Sequence, residues 1–162
     1  MKRIALAGIL LAGIRASSAA SPANETLVFL AGRGRPAVEV SSAELRRIWL
    51  GQTTRWPDGH RIALAVRPAS FPAGRLFYGR VAVMSEIDFS RLWLGILFRG
   101  DAESAPRVIG PTEEVRRFLA GGPEGLAFLL SGEVDRRDSE KALRIDGKLP
   151  GDAGYPYRFG TR

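Results

Sequence analysis

At 162 residues the chain has room for one domain with a sizeable apolar core. It has no cysteine, which excludes a disulfide framework, thiolate metal sites, cysteine nucleophiles and lipidation of an N-terminal thiol. The formal charge is +7, but Lys2, Arg3 and Arg15 lie in the first twenty residues, which hold no acid, so the remainder carries 21 bases against 17 acids, a net +4 that favours small anions or an anionic surface.

Met1 to Ala20 reads as a secretory signal peptide. Lys2 and Arg3 form the charged start, Ile4 to Ile14 the apolar run, and Ser18 and Ala20 stand at −3 and −1 of a small-residue cleavage region. The alternative is an uncleaved anchor, but the run is shorter than the roughly 20 residues that cross a bilayer. Export to the periplasm, without stable membrane insertion, is the expectation. A nucleic-acid role does not fit, because Arg46-Arg47, Arg116-Arg117 and Arg136-Arg137 are scattered pairs that read as solvated faces.

After a loose tail, Thr26 to Ala31 is an apolar run suited to a buried parallel strand. Gly32 to Pro36 is a basic loop whose G-x-G fragment lacks the rest of a dinucleotide fingerprint. Ser41 and Glu44 have capping-box spacing, and Leu45, Ile48 and Trp49 then share one helical face. Gly51 supplies a left-handed stop. Trp56-Pro57 cannot continue a helix, and Asp58-Gly59 makes a turn that launches a strand from Arg61 to Val66.

Arg67 to Ala73 leads into a helix ending near Val83, with Leu76, Phe77, Val81 and Met84 on one side. Ser85 and Asp88 repeat the capping spacing and open an amphipathic helix carrying Phe89, Leu92, Trp93, Ile96 and Leu97. A polar loop, Gly100 to Pro106, precedes a short strand at Arg107 to Ile109. Thr112 caps a further helix with Val115, Phe118 and Leu119, which Gly121-Gly122-Pro123 stops. Leu126 to Leu130 reads as a central strand, Ser131 to Glu140 as charged and exposed, Lys141 to Ile145 as one more strand, and Tyr155 to Phe159 as the terminal segment.

Alternating strands and helices argue for an α/β layer fold with a largely parallel sheet. Ser41 to Gly59, SSAELRRIWLGQTTRWPDG, resembles the "LRRIFLGK-x-T-x-W-x-DG" segment of phosphate-type substrate-binding proteins of ABC transporters, in the short single-lobe form called PBP-like domains. Arg67 to Phe77 stands where that family has "R-x-x-G-S-G-T-x-x-x-F", AGGPEGLAF at Ala120 to Phe128 is similar to its "A-x-x-P-G-A-I-G-Y", and KALRIDGKLPGDAGYPYRF at Lys141 to Phe159 looks like its ending. Four segments in order cover nearly all of residues 26–159.

The resemblance implies a single lobe of a type II periplasmic-binding-protein fold, the sheet mostly parallel and flanked by helices. It implies capture of phosphate or another small oxyanion, for or alongside an ABC permease, with no bond chemistry and no cofactor. The implied oxyanion contacts are Arg67, Ser70, Phe71, Ala73 and Gly74, at a strand–loop–helix unit of the kind that offers amide hydrogens and a guanidinium fork to an anion. At equal spacing Ser70 falls on the family's glycine, Phe71 on its serine, Pro72 on its next glycine and Ala73 on its threonine. Proline removes an amide donor and phenylalanine a hydroxyl. The alternative is therefore an envelope interaction or sensory module, without transport, that has lost the ligand site. His60, the only histidine, sits in a turn, and Asp135, Asp138 and Glu140 lack metal-loop spacing. No serine–histidine–acid set points to an enzyme.

Overall fold

The computed structural model describes residues 25–160; the segment read as a signal peptide lies outside them. Strand β1 (Glu25–Ala31) lies between β5 and the edge strand β7 in a five-stranded sheet ordered β4-β3-β5-β1-β7, with β3 at Ala63–Val66, β4 at Arg107–Val108, β5 at Gly125–Leu130 and β7 at Arg158–Phe159. A two-stranded sheet joins β2 (Glu39–Val40) to β6 (Arg144–Ile145). Three of the five pairings are parallel: β2 with β6, β3 with β4, and β3 with β5. Strand β1 is buried as expected, but it is antiparallel to both β5 and β7, where the sequence predicts a parallel strand. An all-apolar run reports burial on both faces and carries no sign of direction, which the connections decide.

Helices cover both faces. Helix α1 (Ser42–Trp49) starts at the expected capping box: Glu44 N–H donates to Ser41 Oγ at 3.1 Å, and Ser41 N–H donates to Glu44 Oε2 at 2.8 Å. Gly51 has φ +70° and Gly59 φ +88°, so both turns need the left-handed backbone that their glycines supply. The helix expected from Ala73 to Val83 is split into α2 (Pro72–Leu76) and a π-helical stretch, Phe77–Ala82. The wider winding buries Phe77, Tyr78, Val81 and Ala82 together. Helix α3 (Glu86–Arg99) is capped by Ser85, buries Phe89, Trp93 and Ile96, and ends at Gly100, φ +76°.

Helix α4 (Thr112–Ala120) begins at the residue expected to cap it: Pro111 is the N-cap, and Thr112 is already helical. The stretch Ser131 to Glu140 is mostly exposed, as expected, but it folds into a 3₁₀ turn, Ser131–Glu133, and helix α5 (Arg136–Ser139), and Asp138 departs from the expectation by being buried. One face of the sheet meets a core of Phe29, Trp49, Phe77, Phe89 and Phe128, in which Phe77 and Phe128 stack 4.6 Å apart. The other face packs Val28, Leu30, Leu129, Val115 and Leu119. Among the described residues no helix is long and apolar enough to cross a membrane.

Candidate functional site

In an open α/β sheet, ligands are taken at the carboxyl ends of the parallel strands, where chain after chain leaves the sheet. Here β4, β3 and β5 are parallel neighbours, so the residues that follow them meet at one corner. Arg67 follows β3, Gly110 and Thr112 follow β4, and Glu133 follows β5.

Arg67 is 3% exposed. Its Nη1 donates to both oxygens of Glu133, at 2.7 and 2.6 Å, while Nε and Nη2 donate to the Gly110 carbonyl at 3.0 and 2.7 Å. The Glu133 carboxylate also accepts from Thr112 Oγ1 at 2.8 Å and from Leu130 N–H at 3.0 Å. Burial pushes the Glu133 carboxyl up, but the bonds from Arg67, Leu130 and Thr112 together outweigh it and hold the group below its ordinary range. A guanidinium, a hydroxyl and an amide thus enclose an oxyanion, and that oxyanion belongs to the chain.

Two further carboxylates fix this corner. Ala69 N–H, a loop amide, donates to Glu86 Oε2 at 2.9 Å. Arg116 Nη2 donates to the Glu133 carbonyl at 2.8 Å, and its Nε to buried Asp138 at 3.0 Å, so α4 and α5 clamp the backbone that carries Glu133. Asp138 raises the Arg116 pKa first, and Glu113 adds to it. The expectation that the arginine pairs are solvated faces fails at Arg116 because a buried carboxylate stands within its reach.

The other predicted ligand residues are placed as follows. Ser70 is exposed, and its carbonyl accepts from Arg75 Nη1 at 3.3 Å. Phe71 is the N-cap of α2, offers no side-chain cap, and lays its ring against the Arg67 guanidinium at 4.7 Å. Ala73 and Gly74 are buried, and Pro72 leaves the helix start one amide short. Gly74 is held by packing: a Cβ there would collide with the carbonyl oxygens of Pro68 and Arg67. The structure brings Arg67 and Phe71 together, while Ser70 faces outward and Ala73 and Gly74 are buried in the helix that follows.

A surface cavity of about 490 Å³ lies at the other end of β3, lined by Thr54, Arg61, Trp93, Asp101, Glu103 and Glu124. His60 is in a turn beside Asp58, as expected, and more than half exposed. Glu133, Thr112 and Gly110 were not singled out from sequence. The signal that could have found them is positional: each comes within four residues of a strand end on the same edge as Arg67.

No protein-family model and no curated protein matches the chain. Solved structures do. An ABC-type phosphate transport receptor from Vibrio cholerae aligns with TM-score 0.61 and 18% identity over 79% of this chain and 49% of its own. PstS from Borrelia burgdorferi aligns at 0.60 and 14%, over 79% and 50%. The phosphate binding protein from Stenotrophomonas maltophilia aligns at 0.51 and 12%, over 79% and 41%. The chain spans half or less of the length of these structures, and what it shares with them is the fold: a mixed α/β lobe of the type II periplasmic-binding-protein kind.

Proposed function

We propose that this chain is a solute-binding-protein-like lobe of the cell envelope that works through protein contacts, its oxyanion corner being filled from within. One observation carries the reading: the guanidinium at the carboxyl end of β3 already holds a bidentate carboxylate, Glu133. A free anion would have to displace a partner tethered to the same chain and supported by Thr112, Leu130 and Arg116. Binding, with no bond chemistry, is the activity. The test is thermal melting with phosphate, sulfate or molybdate at millimolar concentration. The expected result is an unchanged melting temperature. A concentration-dependent rise would overturn the proposal; ligand at 100 times its Kd would stabilise the chain by about 2.7 kcal/mol.

The fold likeness to a phosphate transport receptor favours a second reading. In it the lobe captures a phosphate-like oxyanion in the periplasm, for or alongside an ABC permease, with Arg67, Ser70 and the backbone of Phe71, Ala73 and Gly74 as contacts once Glu133 has swung away. The same titration decides between the two.

A further inference from the structure

The cavity at the amino end of β3 is built from three connections: the turn after α1, the loop after α3 and the entry to β5. The first returns to the sheet as a small hairpin. Ile62 N–H donates to the Thr54 carbonyl at 2.9 Å, and Arg55 pairs with Arg61 across an antiparallel bridge. Ala63 N–H donates to the Glu124 carbonyl at 2.9 Å, which sets Glu124 beside the hairpin. At about 490 Å³ the space falls within the range of small-molecule sites.

Most of the charged groups around it are already paired. Arg61 is bound to Glu103, and Asp101 accepts from Arg99 Nε at 2.8 Å. Two are left over. Arg55 donates to a neutral group, the Gly59 carbonyl, at 3.0 Å. The Glu124 side chain is half-buried, and its carboxylate has no hydrogen bond or ion pair among the described residues. One spare cation and one spare anion thus line the same cavity without pairing with each other. A simple anion would satisfy Arg55 and leave Glu124 unmatched, and a simple cation would do the reverse.

We propose that the cavity takes a small zwitterion, an α-amino acid with an apolar side chain. Its carboxylate goes to the donor fork of Arg55 and its ammonium to Glu124. Gly100, the stop of α3, lines the same space, so the negative end of that helix adds to the pull on the ammonium. Ile62, Leu64 and Ala102 supply the apolar wall for the side chain. The cavity and the Arg67 corner lie at opposite ends of β3, so this proposal and the reading of that corner stand or fall separately.

The test is isothermal titration calorimetry of the full chain with L-leucine, L-leucinamide and 4-methylpentanoate, which carry both charges, the cation alone and the anion alone. The expected result is saturable binding of L-leucine at millimolar concentration or below, with each singly charged analogue weaker by about tenfold or more. Arg55→Gln and Glu124→Gln should each weaken L-leucine by a similar factor. Melting should be unchanged in both, since neither side chain holds an ion pair in the free protein. Arg117→Gln should bind as the wild type does, because Arg117 lies in a separate depression on the other side of Glu124. Absence of L-leucine binding overturns the proposal, as does an analogue that binds as tightly as L-leucine. Loss of binding in Arg117→Gln overturns it too, by moving the ligand to that depression.

Discussion

A guanidinium that is 3% exposed has no solvent to turn to when its carboxylate is removed. Glu133→Ala should therefore destabilise the chain by about 3–5 kcal/mol, read by urea unfolding, because it leaves Arg67 buried and uncompensated. Arg67→Met should also destabilise, and the double substitution should cost clearly less than the sum of the two, since each partner is expensive mainly when the other is left behind. The same pair has a pH signature. The Glu133 carboxyl titrates below its ordinary value of 4.5 in the folded chain, so its contribution is complete above that value. It is lost as pH falls through the lower folded value. Melting in acid should thus fall more steeply for the wild type than for Glu133→Gln, whose amide does not titrate in that window. Parallel curves would remove Glu133 from the account of acid stability.

Where the π-helical stretch ends, Val83 stands at φ 56° and ψ 46°, a left-handed conformation that costs an ordinary L-residue about 1–2 kcal/mol. Val83 is also exposed, so little packing offsets the strain. Val83→Asn should stabilise the chain by roughly 1 kcal/mol, since asparagine tolerates this region, and a shift of the urea midpoint without a change in slope would show it. Elements governed by neighbours in sequence were legible in advance. The caps at Ser41 and Ser85 and the stop at Gly51 each depend on residues a turn apart. The π winding and the antiparallel direction of β1 were not, because partners far along the chain decide them. The site divides in the same way. Arg67 is visible as a cation between a strand and a helix, but its carboxylate lies 66 residues away, and only the pairing of β3 with β5 brings the two together.

At the scale of the whole molecule, the fold closes through its last segment. Leu27 N–H donates to the Tyr157 carbonyl at 3.0 Å, and Arg158 and Phe159 pair with Thr26 and Glu25, so the end of the chain covers the free edge of the strand that begins it. Tyr157 packs edge-on against Phe29 at 5.0 Å, and Tyr155 lies buried beside it. This pairing is the most non-local in the sheet, so it carries the largest loop-closure entropy of any strand pair. Tyr157→Ala should cost about 3 kcal/mol, the usual range for emptying a buried aromatic site. Truncation after Gly154 goes further, because it removes both tyrosines and exposes the backbone of β1 as an unpaired edge. The truncated chain should lose its cooperative urea transition, or should self-associate at concentrations where Tyr157→Ala does not, as light scattering would report. A truncated chain that stayed cooperative and unassociated would mean that β1 is held by β5 alone, with the terminal strand an accessory to a sheet already closed without it.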